Sequence, residues 1–149
     1  MRIALHQPEI AGNVGTILRL AACLGLPVDV IEPCGFAFSD RALARAGMDY
    51  AERAQVTRHT GWGAFVAARG ERLMLFTTAG DVRLPDARFE PDDVLLFGSE
   101  GSGAPSHVHE AAAVRIRIPI AGDARSLNLA VACAMAAGEA LRQTGGWPT

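Results

Sequence analysis

Residues 2–31 constrain the fold more than any other part of the chain. Arg2 to Leu5 is a short run suited to a buried strand, and His6-Gln7-Pro8-Glu9 breaks it. Gly12 and Asn13 then open a helix, with Asn13 its expected N-cap. Val14, Ile17, Leu18, Ala21, Ala22 and Gly25 recur at the spacing of one buried stripe, and Arg19 falls off that stripe. Gly25-Leu26-Pro27 ends the helix, and Val28 to Ile31 reads as a second strand. Strand, helix and strand in so short a span make a βαβ unit, which favours an α/β fold with a mostly parallel sheet flanked by helices.

The rest of the chain repeats the alternation. Asp40 to Ala46 is helical in composition, with Arg41 and Arg45 one turn apart on one face. Gln55 to His59 suits an edge strand, Trp62 to Arg69 a short amphipathic helix, and Arg72 to Thr77 a buried strand. Asp81 to Asp92 carries two prolines and scattered charge, and is expected to be a surface connection. Val94 to Phe97 is a buried strand running into Gly98-Ser99-Glu100-Gly101-Ser102-Gly103, and Pro105 begins a short helix. A last strand holds Ile116, Ile118 and Ile120, interrupted by Pro119. Gly122 to Arg125 turns it into a long helix expected to start near Ser126, with Ser126 and Asn128 in its first turn. That helix is built from small apolar residues on nearly every side, so it should be buried on two faces: against the core and against a second subunit.

Composition narrows the function classes. The 149 residues argue for one domain. No run approaches the roughly 20 apolar residues of a membrane span, and MRIALHQPEI is too short an apolar stretch for a signal peptide. The expected location is cytoplasmic. Cys23, Cys34 and Cys133 form no CxxC pair, which fits reduced, packed thiols. His107 and His109 have no further Cys or His motif to complete a metal site, so no metal is expected. All 14 basic residues are arginine; the missing lysine excludes a P-loop or a Schiff base. At a net charge of −2, an RNA partner would need a local basic patch.

Three segments lie at or just after strand ends, where open α/β sheets gather function. They are Asn13 with Arg19, Gly98 with Glu100, and Ser126 with Asn128. Taken singly, each has a plain structural reading as a cap, a tight turn or a solvated arginine. The glycine loop is neither GxGxxG nor followed by GK[ST], which disfavours a nicotinamide dehydrogenase and a P-loop enzyme. Glu100 argues against a phosphate ligand there and suits a cationic or hydroxyl-bearing one. The combination of the three segments is what points to a site.

These segments resemble the motifs of the SPOUT superfamily of RNA methyltransferases, and within it the TrmL-type tRNA 2′-O-methyltransferases. PEIAGNVGTILRL, LLFGSEGSGAP and IRIPIAGDARSLNLA carry the likeness, as do IEPCGFAFSDRALARAGMDY and VTRHTGWGAF between them, all in one register. The resemblance implies a C-terminal deep trefoil knot, which general rules would not have suggested. It also implies S-adenosylmethionine, a homodimer formed through the C-terminal helix, and methylation of the ribose 2′-hydroxyl at the wobble nucleotide, position 34, of tRNA, with leucine tRNA the expected species. By motif position, the catalytic residues would be Arg19, Asn13, Glu100 and Asn128. Phe76, Gly98, Ile118, Ser126 and Leu127 would contact the cofactor. Arg41, Arg45, Arg58, Arg115, Arg117 and Arg125 are expected to supply the RNA-phosphate patch. Ser99 and Ser102 stand where relatives often carry proline and arginine, Ala130 where many have serine, and Gly138 where an aromatic can pack across the dimer. The alternatives are a methyltransferase for another tRNA or rRNA site, or a binding module without catalysis.

Overall fold

A computed structural model describes residues 1–38, 41–46, 50 and 53–149. Among these residues seven strands form one sheet: β1 (Arg2–His6), β2 (Val28–Ile31), β3 (Val56–His59), β4 (Leu73–Phe76), β5 (Val82–Arg83), β6 (Val94–Phe97) and β7 (Val114–Arg117). Their order is β3-β2-β1-β6-β4-β7-β5, and every pairing is parallel. The register places Ile3 beside Val28 and Leu95, and Phe76 beside Phe97 and Ile116. Strands in such a sheet are covered on both faces, which is why β2 and β6 are buried at every position.

One face carries Ile3, Leu5, Val28, Val30, Met74, Phe76, Leu95, Phe97 and Ile116 against α1 (Ala11–Leu24), α2 (Arg41–Ala46) and α5 (Leu129–Thr144). The other carries Ala4, Ile31, Leu75, Val94 and Leu96 against Phe65 of α3 (Trp62–Ala68) and Val108 of α4 (Ser106–Ala111). Each face therefore carries an apolar core, the second one also enclosing Asp29, His6 and His59, and the alternation along each strand divides its side chains between the two.

Several boundaries differ from the sequence reading. Helix α1 starts at Ala11, with Ile10 as its N-cap, so Asn13 lies inside the first turn rather than ahead of it. Helix α5 starts at Leu129, not near Ser126; Asn128 is its N-cap and accepts from the Ala130 and Val131 N–H groups. Both helices end on a left-handed glycine, Gly25 at φ 69° and Gly145 at φ 66°, a backbone state that glycine adopts without Cβ strain. The last strand runs Val114–Arg117, which moves Ile118 and Ile120 into the loop beyond it. Residues 81–92 are more than a surface connection. Val82 and Arg83 pair with β7, and Leu84, Ala87 and Phe89 are buried. The expected helix began at Asp40, which lies outside the described residues, as do Ser39 and residues 47–49 and 51–52 of the region around it.

Helix α5 buries one face, through Cys133, Ala136, Ala137, Ala140 and Leu141. Its opposite face stays open in the single chain, with Val131 48% and Met135 45% exposed. The Trp147 indole folds back over Gly138; a Cβ there would stand 3.8 Å from the ring. The cysteines are unpaired. Burial pushes the Cys133 thiol up to about 12, while burial and then Glu32 push Cys34 up to about 11. Cys23 is exposed on α1 rather than packed.

Candidate active site at the carboxyl edge of the sheet

Strands β6, β4 and β7 end side by side, and the loops that leave them enclose a cavity of about 810 Å³. Residues 77–79 form one wall, the glycine loop 98–104 a second, and residues 125–129 with Ile118 and Ile120 a third. Phe76, Phe97 and Ile116 form the floor. Phe97 and Phe76 stack at 4.9 Å between centroids, which ties the ends of adjacent strands together.

The glycine loop is folded tightly on itself. A Cβ at Gly98 would overlap the backbone of Gly103 and Ala104, so only glycine allows the chain to double back here. Ser99 and Gly103 exchange backbone hydrogen bonds, at 3.3 Å and 3.0 Å. The Ser99 and Ser102 hydroxyls meet at 2.9 Å. The two serines thus brace the loop from within.

Glu100 leaves that loop toward the start of α1. Its carboxylate accepts from the backbone N–H of Glu9 at 2.7 Å and of Ile10 at 3.1 Å, and from Asn13 Nδ2 at 3.3 Å. Helix α1 has no acidic residue of its own in the first turn. Glu100 supplies the negative charge that the helix N-terminus favours. Asn13 in turn accepts, through Oδ1, a hydrogen bond from Asn128 Nδ2 at 3.0 Å, while Asn128 caps α5. One chain, Glu100–Asn13–Asn128, therefore joins the ends of β1, β6 and β7 across separations of 87 and 115 residues. The three segments singled out in the sequence meet here.

The cavity gathers Asn13, Glu100 and Asn128 with all five expected cofactor residues, Phe76, Gly98, Ile118, Ser126 and Leu127, and with Arg125. Arg19 is not among its lining residues. It is exposed on α1, about 9 Å along the helix from Asn13, with its guanidinium over the Tyr50 ring at 5.4 Å from the centroid. Arg41 and Arg45 are exposed on α2. Arg58 is ion-paired with Glu32 and lies over Phe38. Arg115 pairs with Asp81 at 2.6 Å, and Arg117 donates to the Gly80 carbonyl at 2.8 Å, so both brace the β5–β7 edge.

Sequence reasoning missed Thr77, Thr78, Ala79 and His109, all of which line the cavity. For the first three a signal existed: they follow the buried run Leu73–Phe76, at the end of a parallel strand. His109 had none, since its place depends on how α4 packs. Among the described residues, no three His, Cys, Asp or Glu side chains gather as a metal site.

The SpoU rRNA Methylase family model matches residues 1–138. A tRNA (cytidine(34)-2'-O)-methyltransferase of Ancylobacter novellus is 50% identical, over 99% of this chain and 95% of that one. A solved structure concerned with 2-OH methylation of C/U34 on tRNA superposes with a TM-score of 0.90 at 44% identity, over 95% of this chain and 94% of its own. The AdoMet-bound rRNA methyltransferase from Sinorhizobium meliloti gives 0.85 at 31% identity, over 95% of this chain and 55% of its own.

Proposed function

The chain belongs to the SpoU rRNA methylase family, and from that membership and the cavity we propose that it methylates the ribose 2′-hydroxyl of nucleotide 34 of tRNA. It is an S-adenosylmethionine-dependent 2′-O-methyltransferase with the α/β fold and C-terminal trefoil knot of its family. The observation that carries the reading is the Glu100–Asn13–Asn128 bridge, which draws three separate segments into one cleft.

The residues present suit the cofactor. A cavity of about 810 Å³ falls within the roughly 300–1,000 Å³ of small-molecule sites. Its three loop walls combine Ser and Thr hydroxyls, Glu100 and Asn128 with the apolar side chains of Ile118 and Leu127, over the floor of Phe76, Phe97 and Ile116. Phe76, Ile118 and Leu127 offer apolar surface for a purine, and Gly98 and Ser126 offer close backbone approach. S-adenosylmethionine supplies an electrophilic methyl group on a positively charged sulfur. Glu100 brings a negative charge to the cleft, and its bonds to the Glu9 and Ile10 N–H groups hold it in place.

The ribose oxygen must come within roughly 3–3.5 Å of the methyl carbon, in line with the bond that breaks. Arg19 is the group we assign to positioning the ribose or its phosphate. A guanidinium is ordinarily fully protonated in a protein, so Arg19 is assigned to lower the hydroxyl's pKa by its charge, the proton passing to solvent as the C–O bond forms and the C–S bond breaks; Arg19 as the base is the alternative that the family likeness offers. Exposure on α1 leaves Arg19 reachable by an RNA strand or by a second subunit. Arg41, Arg45 and Arg125 provide phosphate contacts, with leucine tRNA the expected species. The functional unit is a cytoplasmic homodimer of single-domain chains, joined through the open apolar face of α5. Its support is the exposed run Val131, Met135 and Trp147.

The test is methyl transfer from labelled S-adenosylmethionine to unmodified tRNA, with mass spectrometry of nuclease digests. A 2′-O-methylated nucleotide at position 34 is expected; one elsewhere, or none, overturns the assignment. Arg19→Ala is expected to bind the cofactor normally and to lose turnover. Full activity in that variant would remove Arg19 from the reaction.

A further inference from the structure

The proposed reaction requires nucleotide 34 to be presented at the cleft, and the structure carries a second feature on the same edge of the sheet. Beyond β1, on the side away from the cavity, lie the ends of β2 and β3. The loop after β2 holds Phe36 and Phe38, whose rings sit 5.9 Å apart and are tilted by 33°. Both rings are half-buried and rooted in the core on the α1 face. Arg58, on β3, places its guanidinium carbon over Phe38, 4.2 Å from the centroid. Glu32 takes the edge of the same guanidinium in an ion pair. Phe36, Phe38 and Arg58 thus form a short cluster whose outer member is still half exposed, the Arg58 side chain at 50%.

Arg58 was expected to serve as a phosphate contact. The geometry argues otherwise. Its charge is met by Glu32 and one face is covered by Phe38, so what it offers outward is the remaining flat face. A guanidinium plane of that kind stacks on nucleobases. Its orientation is fixed before any ligand arrives, by the ring beneath and the carboxylate beside it, so little conformational freedom remains to be lost on binding. Arg41, Arg45 and Arg53 of the adjoining segment are exposed and can reach phosphates, although Asp40, Asp49 and Glu52 in the same stretch balance their charge.

The place also fits. The Gly35 N–H donates to the Pro8 carbonyl at 2.9 Å, and Pro8 leads into Glu9 and Ile10, the residues that Glu100 holds at the rim of the cavity. A Cβ on Gly35 would stand 2.9 Å from the Glu9 backbone, so the platform loop packs directly on the rim. From β6 to β3, the strand that carries Arg58, is three strand spacings, about 14 Å.

We propose that Arg58, held on Phe38, is a stacking platform for an unpaired base of the tRNA anticodon loop that flanks nucleotide 34. It rests on the tRNA 2′-O-methyltransferase reading and adds to it the residues that hold the strand while the ribose reaches the cleft. Arg58 is a positioning residue: it binds the substrate away from the reacting atoms.

The experiment uses the full-length protein and tRNA transcripts carrying 2-aminopurine immediately before or immediately after position 34. Wild type should quench the fluorescence of one of the two on binding, as a stacked base does. Arg58→Lys keeps the charge and loses the plane; Phe38→Leu keeps apolar volume and loses the ring beneath. Both should abolish that quench and raise KM for tRNA about tenfold or more, with S-adenosylmethionine affinity unchanged in both and melting temperature unchanged in Arg58→Lys. Arg58→Lys with wild-type KM and quench would overturn the platform while leaving position 34 methylated by the wild type. A rise in KM with the quench intact would restore Arg58 as a phosphate contact and also overturn it. No transfer to position 34 by the wild type would instead bring down the reaction itself.

Discussion

Two carboxylates on this sheet are held in opposite ways. Asp29 is fully buried in the middle of β2, on the face covered by α3, and is surrounded by side chains that are or can become cations. Arg69 Nη2 donates to it at 2.9 Å, His59 Nε2 lies at 2.7 Å, and Arg2 completes the ring. Glu100 stands half-buried at the carboxyl edge, and among the described residues its partners are two backbone N–H groups and one amide. The charge of Asp29 is cancelled where it sits. The charge of Glu100 is held by neutral donors and remains available to the cleft. A carboxylate inside a strand surrounded by cations therefore serves the fold, whereas one anchored by backbone at a strand end serves the site.

The largest effect that separates them is on stability. Burial alone would raise the pKa of Asp29, but hydrogen bonds from Arg69, His59 and Arg2 outweigh it and hold the carboxyl below its usual range. Removing one partner from such a cluster strands the others, at a cost of about 3–5 kcal/mol. Arg2 and Arg69 keep some solvent access, at 17% and 19%, so the lower end applies. Asp29→Ala should lose about 3 kcal/mol, or roughly 6–12 °C in melting temperature for a domain of this size. The sign with pH follows from the depressed pKa. The contribution is complete above the unfolded value, near 3.9, and is lost as pH falls through the folded one. The gap between wild type and Asp29→Ala should therefore be full at pH 7 and close in acid. S-adenosylmethionine affinity, measured well below the melting point, should not change; a variant that melts normally but fails to bind would invert the comparison.

Glu100→Gln should show the complementary pattern. The substitution keeps the shape but turns one acceptor into an N–H₂ group facing the donors of Glu9 and Ile10. Leaving one of these unsatisfied costs about 1–2 kcal/mol, less than the loss at Asp29. The consequence for turnover is larger, since Asn13 and Asn128 lose their anchor and small misplacements at a reacting centre cost up to about a hundredfold. A fall in kcat of about ten- to a hundredfold, with a melting shift of only a few degrees, is expected. Equal losses in both quantities would mean that Glu100 is a structural strut like Asp29.

The sequence made these two sites legible to different degrees. The parallel sheet followed from apolar runs spaced by helices, and the strand ends Asn13, Glu100 and Asn128 were recognisable as a set. Their mutual hydrogen bonds were not, because the order of β1, β6 and β7 across the sheet depends on packing between residues far apart in the chain. Asn13 was misread as a cap because the true cap, Ile10, has no side-chain acceptor, and Glu100, in the loop after β6, accepts from the helix start in its place. Ser126 was misread for a related reason. Serine and asparagine both suit an N-cap, and the choice of Asn128 was made by its second bond, to Asn13. The Asp29 cluster went unnoticed, since its four members are spread over 67 positions and each reads as an ordinary polar residue on a strand or beside one.

The smallest effect concerns His6, which lies where the two regions meet. It ends β1 on the Asp29 face, and the next residues lead to the Glu9 and Ile10 groups that Glu100 holds. The ring is buried, and among the described residues Nε2 has no hydrogen-bond partner. Around it stand Trp62 of α3, at 5.7 Å between centroids, and His107 of α4, at 6.1 Å. Burial first, and the neighbouring His107 second, hold the pKa of His6 below the ordinary 6.5. An unfolded chain thus takes up a proton near pH 6.5 that the folded chain refuses, and stability falls as pH drops through that range toward the folded value. His6→Phe removes the titration and keeps an aromatic against Trp62. It should melt close to wild type at pH 8 and above it at pH 5.5. S-adenosylmethionine affinity at pH 8 should be the same in both proteins, because the site depends on Glu100 and not on the charge behind β1. Parallel melting curves from pH 8 to 5.5 would show that the buried ring is protonated at no cost. An affinity that changed with His6→Phe would show that the interior of the sheet and its carboxyl edge act as one unit.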